Sequence, residues 1–181
     1  MNKIEIKSLK VYESMSEETN CFNCFIYIDG KKAIYVKNQG QGGDNDYDVS
    51  LPSIVNGVIY SPIKYLEQVN KFIYNSFSNI KKEIDKETYL QQDFSLELFI
   101  DKAINEYFAN KELKSFERKL KREFIICHDL LGDDTYTYWN LKKVPYDKIK
   151  DHVLKNDNKF PNAIIINELP LKEGFKILNK N

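Results

Sequence analysis

The sequence predicts an α+β protein in which a β-rich N-terminal portion (residues 1–60) packs against a helical and mixed α/β portion (residues 61–181). Strand signals dominate the first portion, whereas residues 96–108 keep an apolar period of about 3.6 residues. Shorter strand signals return after residue 123. With 181 residues, of which 42% are hydrophobic, the chain can bury one shared core. We therefore expect the two portions to form one compact unit.

The N-terminal portion begins with two strand signals. Apolar residues from Ile4 to Val11 alternate and then slip phase, which is typical of a strand with a bulge. Residues 22–28 and 32–36 are β-branched and aromatic and flank Asp29-Gly30, a dipeptide that supplies the positive φ angles of a tight hairpin turn. Both faces of this hairpin carry apolar side chains, so we expect it to be central in its sheet or covered by a helix.

Helices are predicted between residues 61 and 122. Ser61-Pro62 is a typical helix start, and apolar residues follow on one stripe as far as Phe77. Residues 80–92 are polar and predict a helix extension or a linker. The clearest helix opens at Asp93 or Ser95, and residues 112–122 continue it.

The remaining residues predict a second group of short elements. Residues 123–127 and 135–139 predict paired strands across residues 132–134. A helix is expected to begin at Pro145. We also expect a short buried strand over residues 163–166 and a final helix over residues 171–178.

Charge and composition exclude several classes of function. Lys and Arg number 27, and so do Asp and Glu, which argues against general attraction to nucleic acid or membrane and against a polyanionic mimic of DNA. Charged residues near the start argue against a signal peptide, and no apolar run approaches the roughly 20 residues of a bilayer span. We expect a cytoplasmic protein with no membrane partner, whose three cysteines remain thiols.

The most informative segment is the glycine loop, residues 38–48, which directly follows the predicted hairpin. It holds three of the seven glycines of the chain, and glycine this dense marks backbone that turns sharply or lets another group approach. We interpret it as a partner-binding loop that presents backbone amides and a tyrosine ring. The predicted partner-binding residues are Asn38, Gln39, Gly40, Gln41, Gly42, Gly43, Asp44, Asp46 and Tyr47. A structural turn without any function is the alternative.

Other chemistry for the glycine loop fits less well. A phosphate-binding loop needs a Gly-Lys-Ser/Thr ending or a third glycine, and Asn45 stands where that glycine belongs. An EF-hand is excluded because Val49 and Val55 occupy its glycine and closing glutamate positions. Asp44, Asp46 and Asp48 would share one face of an extended segment, so a divalent-metal-dependent hydrolase stays an alternative.

The cysteines and histidines offer no complete constellation. Cys21-x-x-Cys24 has zinc or redox spacing, but the rest of the chain offers too few partners, and buried thiols are the better interpretation. Cys127, His128 and Asp129 are the residue types of a catalytic triad, yet sequence neighbours point their side chains apart. We therefore assign no catalytic residue, no metal ligand and no cofactor.

A basic helix gives a second class of function. Residues 111–122 carry six basic and two acidic side chains, and four of the basic ones line one helix side. Aromatic residues on the later hairpin could stack on bases. The nucleic-acid-binding set would be Lys114, Arg118, Lys121, Arg122, Tyr136, Tyr138 and Trp139. A solvated helix face and ordinary cross-strand pairs are the structural alternatives.

Residues 22–47 carry a resemblance to known proteins. The hairpin Ile28-Asp29-Gly30-Lys31-Lys32, followed by Lys37-Asn38-x-Gly40-x-Gly42-Gly43 and an acid-Tyr ending, resembles small uncharacterised proteins of bacteria and their mobile elements. This resemblance implies a phage or plasmid origin and importance for the glycine loop, without implying an activity. We expect a non-enzymatic binding protein whose partner is a protein or ribonucleoprotein, such as a host nuclease or defence complex. Nucleic-acid binding and metal-dependent hydrolysis are the alternatives.

Overall fold

A computed structural model gives the fold as two compact units, residues 1–106 and residues 107–181. It describes residues 1, 3–49, 54–55, 58–59, 61–87, 94–130, 133–156 and 158–179. Helices and antiparallel sheets occur together, so the α+β prediction is confirmed. The division at residue 60 rests on composition and stays a prediction.

The first unit contains a four-stranded antiparallel sheet with the order β1-β2-β3-β4. Its strands are β1 (Ile4–Val11), β2 (Phe22–Ile28), β3 (Lys31–Asn38) and β4 (Asp46–Val49). The predicted hairpin strands β2 and β3 are therefore central, in agreement with their apolar character on both faces. The glycine loop begins at Asn38, the last residue of β3, and its residues 46–48 belong to β4.

Local backbone irregularities lie where the sequence predicts them. The register between β1 and β2 shifts between Lys7 and Lys10, and Ser8 has a φ of 55°. At the hairpin, Asp29 and Gly30 have φ angles of 50° and 79°. Two successive positive φ angles are what a type I′ turn requires, so the chain reverses with the twist of its strands.

Helices follow the sheet in the first unit. A two-stranded pair, β5 (Ile54–Val55) and β6 (Val58–Ile59), precedes α1 (Pro62–Ser76), α2 (Ser78–Glu87) and α3 (Phe94–Leu120). Residues of α3 as far as 106 belong to this unit. Within the described residues, none of the helices combines the length and the apolar composition of a bilayer span.

Two side-chain caps fix where these helices begin. Ser61 Oγ accepts the N–H of Lys64 at 3.5 Å, as expected from the Ser-Pro signal. Asn70, a buried residue of α1, accepts the N–H of Leu96 on its Oδ1 at 2.8 Å. Ser95 Oγ also donates to the Asn70 carbonyl at 2.9 Å. Asn70 thus ties the first turn of α3 to α1.

The core of the first unit follows from two periodicities. Alternate residues of β2 are buried, and every fourth residue of α3 is buried from residue 96 to residue 104. These buried side chains are Phe22, Cys24, Ile26 and Ile28 on the strand and Leu96, Ile100 and Ile104 on the helix. The sheet and the helix each contribute one apolar face, which is how such a unit buries both.

The second unit contains a three-stranded antiparallel sheet with the order β8-β7-β9. The strands are β7 (Glu123–Leu130), β8 (Asp133–Asn140) and β9 (Ile164–Ile165), and the helices are α4 (Tyr146–Leu154) and α5 (Leu171–Leu178). The predicted strand over residues 163–166 is shorter than expected, because a 3-10 turn begins at Ile166.

The central strand β7 is buried on both faces. Two clusters divide its alternate side chains, so each face packs against a different set of neighbours. One cluster comprises Phe124, Ile126, Ile149 and Val153, and the other comprises Phe116, Ile125, Cys127 and Ile166. The continuous apolar run 124–127 is therefore a two-sided core strand.

Candidate functional site

The glycine loop turns tightly because its glycines adopt a conformation that other residues avoid. Gly40, Gly42 and Gly43 have φ angles of 85°, 86° and 90°. At Gly40 there is also no room, since a Cβ atom would lie 2.3 Å from the Met15 carbonyl oxygen and 2.8 Å from Cys21 Cβ. The backbone of Gly40 therefore packs directly against residues 15–21.

Asn38 organises the loop from its buried side chain. Its Oδ1 accepts the N–H of Gly40 at 2.8 Å and the hydroxyl of Thr19 at 2.8 Å. Its Nδ2 donates to the Gly43 carbonyl at 3.2 Å and to Asn45 Oδ1 at 3.1 Å. One side chain thus connects both sides of the turn, and a buried amide with all these partners stabilises a single conformation.

The residues that connect β1 to β2 form hydrogen bonds with the glycine loop. The Gly40 carbonyl accepts the N–H groups of Glu17 at 2.8 Å and Glu18 at 3.1 Å. The Gly42 N–H donates to Thr19 Oγ1 at 3.3 Å. The expectation that the loop presents these backbone amides to a partner is wrong for Gly40 and Gly42, since both donate within the protein.

What the loop does present is a set of side chains. Gln39, Gln41, Asp44 and Asp46 are exposed, as is the backbone at Gly43. Asp46 lies 3.7 Å from Lys37 Nζ, a weak surface pair. These exposed side chains, and not the N–H groups of Gly40 and Gly42, are therefore the groups that a partner could contact.

Tyr47 differs from the exposed ring that the sequence predicts. It is half-buried, and its hydroxyl accepts a long 3.5 Å hydrogen bond from Asn45 Nδ2. Burial raises the pKa of Tyr47, and the carboxylates of Glu97 and Asp101 raise it further. The Tyr47 hydroxyl therefore contacts Asn45 of the loop and lies in an acidic environment.

Beside the loop lies a cleft of about 240 Å³ that we call the acidic cleft. Asp44 and Asn45 of the loop line one side, and Glu97 and Asp101 of α3 line another. The described residues that line it include three acidic and no basic side chains. Partial burial raises the pKa of Asp101, although the residue stays exposed to solvent. The cleft therefore favours a positively charged group.

Glu97 and Asp101 line the cleft but are not among the site residues predicted from the sequence. They stand four residues apart in the predicted helix, so the helix periodicity places both on one face. Their position beside the glycine loop could not be read from the sequence, because it depends on how α3 packs in the first unit.

The metal and thiol interpretations can be compared with the structure. Within the described residues, no group of three or more His, Cys, Asp or Glu side chains is placed to hold a metal ion. Cys21, Cys24 and Cys127 are buried, and burial raises the pKa of Cys24 to about 12. A thiol with so high a pKa is a poor nucleophile near neutral pH.

Cys127 and His128 do not converge. Cys127 belongs to the cluster around Phe116, whereas the His128 ring lies 5.3 Å from the Phe160 ring on the other face of the sheet. His128 Nε2 pairs with Thr137 Oγ1 at 2.9 Å, and its buried Nδ1 has no hydrogen-bond partner among the residues that the structure describes. The side chain of Asp129 lies outside the described residues.

The predicted nucleic-acid residues separate into exposed and packed groups. Lys114, Arg118, Lys121 and Arg122 are all exposed at the end of α3. Lys121 Nζ lies 2.7 Å from Glu117 Oε1, so this pair neutralises part of the helix charge. The four do not form one uniformly basic face.

Among the aromatic residues of β8, Tyr138 is exposed and the other two are packed. The Tyr136 hydroxyl donates to the Ile177 carbonyl at 2.7 Å. Trp139 packs edge-on against Phe124 and Phe160. Tyr138 keeps 45% of its surface exposed, so it is the ring of this set that is open to a ligand.

Comparisons with known proteins do not extend this description. No protein-family model, no curated protein and no solved structure matches the chain.

Proposed function

We propose that the protein is a non-enzymatic binding protein that engages a protein or ribonucleoprotein partner through the glycine loop and the acidic cleft. The observation that carries this proposal is the cleft itself, in which a rigid loop and a helix bring Asp44, Glu97 and Asp101 to one concave surface. Rigid support and convergent charge are two properties that recognition sites share.

The internal hydrogen bonds of the loop favour binding over flexibility. Asn38 and the Gly40 carbonyl hold the turn from both sides, so its backbone has little freedom left to lose when a partner docks. Ordering a flexible loop on binding would cost part of the interaction free energy. The exposed Gln39 and Gln41 side chains of the loop offer further hydrogen-bonding groups to a partner.

The size and charge of the cleft indicate what enters it. At about 240 Å³ it is smaller than the roughly 300–1,000 Å³ of typical small-molecule sites, and it suits a single side chain. Arginine fits best, because its planar guanidinium donates to several carboxylates and amide oxygens together. The partner is thus expected to present an arginine, or a lysine, on a basic surface.

The cleft is better suited to recognition than to catalysis. Thr19 supplies a hydroxyl at this cleft, but that hydroxyl donates to Asn38 and accepts from Gly42. It therefore acts in the loop network and is not paired with a base as an activated nucleophile would be.

The resemblance of residues 22–47 to proteins of mobile elements favours a partner from host machinery. A nuclease or defence complex that holds nucleic acid has a basic surface. An acidic cleft on a rigid loop complements such a surface by charge.

The test compares matched acidic variants in capture experiments. Immobilised wild-type protein, Glu97→Gln/Asp101→Asn and the control Glu67→Gln are incubated with bacterial lysate, and bound proteins are quantified by mass spectrometry. Glu67 is an exposed acid of α1 that does not line the cleft. We expect one partner to be retained by the wild type and the control, and its retention to fall about tenfold or more in the double variant.

Two further observations complete this test. Asp44→Asn should weaken capture of the same partner, and an added arginine-rich peptide should compete with it. Equal capture by the wild type and by Glu97→Gln/Asp101→Asn contradicts the proposal, as does a partner whose contacting surface is acidic.

A further inference from the structure

The second unit contains a groove that the proposed function does not use. It has a volume of about 490 Å³, within the range of small-molecule sites, and lies between the end of α3, β8 and α5. Its apolar side chains are Phe116, Phe175 and Leu178. We call it the α3–α5 groove. An open groove lined by two phenylalanine side chains can accommodate a planar ring.

An exposed aromatic ring and a lysine ammonium meet at its edge. Tyr138 lines the groove and keeps 45% of its surface exposed. The Lys119 ammonium lies 4.5 Å from the centre of the Tyr138 ring. A lysine side chain is long and rotates easily, so this ammonium can leave the ring face and pair with an anion while a planar group stacks in its place.

A second cation stands at the same edge. Arg122 lines the groove, and its Nε donates to the Arg118 carbonyl at 3.3 Å, which orients the guanidinium. Residues 111–123 carry six basic and three acidic side chains, so the local charge is positive although the whole chain is neutral. Local positive charge beside an exposed ring is the combination that single-stranded nucleic acids bind.

We propose that the α3–α5 groove binds one nucleotide unit of a single-stranded nucleic acid. The base stacks on Tyr138 above the apolar floor, and the adjacent phosphate pairs with Arg122 and Lys119. This site differs from a uniformly basic helix face, since stacking on one ring and contact with about one phosphate carry the binding.

Two acidic side chains also line the groove, Glu112 and Glu123. Carboxylates repel phosphates but accept hydrogen bonds from the exocyclic amino groups of bases. A base with such an amino group therefore fits the groove better than thymine or uracil. Adenine combines that amino group with a large stacking surface, so oligodeoxyadenosine is the appropriate probe.

Fluorescence anisotropy with a short labelled oligodeoxyadenosine tests the site at low salt. Tyr138→Leu, which removes the ring, should weaken binding about tenfold, whereas Tyr138→Phe, which keeps it, should bind like the wild type. Arg122→Gln should weaken binding and reduce the salt slope by about 0.7. Lys148→Gln, an exposed lysine of α4 outside the groove, should leave the Kd within about twofold.

Four results would overturn the proposal. One is the absence of binding by wild-type protein at low salt. Another is equal affinity of the wild type and the Tyr138→Leu variant for the oligonucleotide. Tyr138 is exposed, and circular dichroism checks that the variant folds. The third is an equal loss of affinity in Arg122→Gln and Lys148→Gln, which would show that the oligonucleotide is attracted to positive charge anywhere on the unit. Binding to the matching duplex as tight as to the single strand also contradicts it.

Discussion

At the scale of single residues, the glycine loop depends on Asn38 and Gly40. Asn38 closes the turn from within through four hydrogen bonds, and Gly40 brings its backbone against Met15 where a side chain has no space. The sequence predicted that these glycines matter. The Gly40 amide points inward through a local turn, in which Asn38 accepts from the residue two positions later. The inward direction of the Gly42 amide could not be predicted, because the sheet brings its acceptor Thr19 from 23 residues away.

Gly40 and Gly43 form a matched pair of substitutions. Both have positive φ angles, but a Cβ atom at Gly43 meets nothing within 4 Å, whereas at Gly40 it meets the Met15 carbonyl. We expect Gly43→Ala to lower the free energy of unfolding by about 1 kcal/mol and Gly40→Ala by about 3 kcal/mol or more. Urea unfolding measures both. Equal losses would show that the contact at Gly40 costs nothing.

Because the Cys24 thiol is buried, we expect the stability of the protein to fall at alkaline pH. Burial raises its pKa to about 12 in the folded protein, whereas an unfolded cysteine ionises near about 8.5. The stabilisation from the neutral thiol is therefore complete below pH about 8.5 and is lost as the pH rises towards 12. The loss approaches about 1.4 kcal/mol per pH unit within that window.

The measurement compares urea unfolding of the wild type and Cys24→Ala at several pH values. The substitution itself destabilises the protein at pH 7 by leaving a small cavity. The difference in unfolding free energy between the two proteins should shrink between pH 9 and 10, since other groups contribute equally to both. A difference that stays constant over this range contradicts the buried, neutral thiol.

At the scale of elements, most of the fold was predictable because local signals agree with the structure. The Asp29-Gly30 turn, the Ser61 cap and the long period of α3 each specify an element without help from distant residues. Two features were not predictable. The strand β4 forms because residues 46–49 pair with β3. The helix α2 is separate from α1, whereas the sequence predicted a helix extension or a linker there.

The cap that Asn70 provides is a contact between elements, and it can be tested. Its Oδ1 accepts the Leu96 N–H, so Asn70→Ala leaves a buried donor without this acceptor. We expect a loss of about 1–3 kcal/mol in unfolding free energy. Asn75→Ala, on the exposed side of α1, should change stability by less than about 0.5 kcal/mol. Similar values for the two variants in urea unfolding contradict the capping role.

At the scale of the whole molecule, the charge is balanced but its distribution is not. The acidic cleft concentrates Asp44, Glu97 and Asp101 in the first unit, whereas the end of α3 is basic in the second. Composition predicted the neutral total and could not predict either site. Both sites depend on side chains far apart in sequence: Asp44 and Asp101 are 57 positions apart, and Arg122 and Phe175 are 53 positions apart.

The central claim is that the glycine loop is held rigid by internal hydrogen bonds and so supports the acidic cleft. Amide hydrogen exchange of Gly40 and Gly42, followed by NMR in the isolated protein, tests it most directly. We expect exchange slower by about 100-fold or more than in an unstructured peptide, because both amides donate within the protein. Exchange of these two amides at the rates of an unstructured peptide would contradict it.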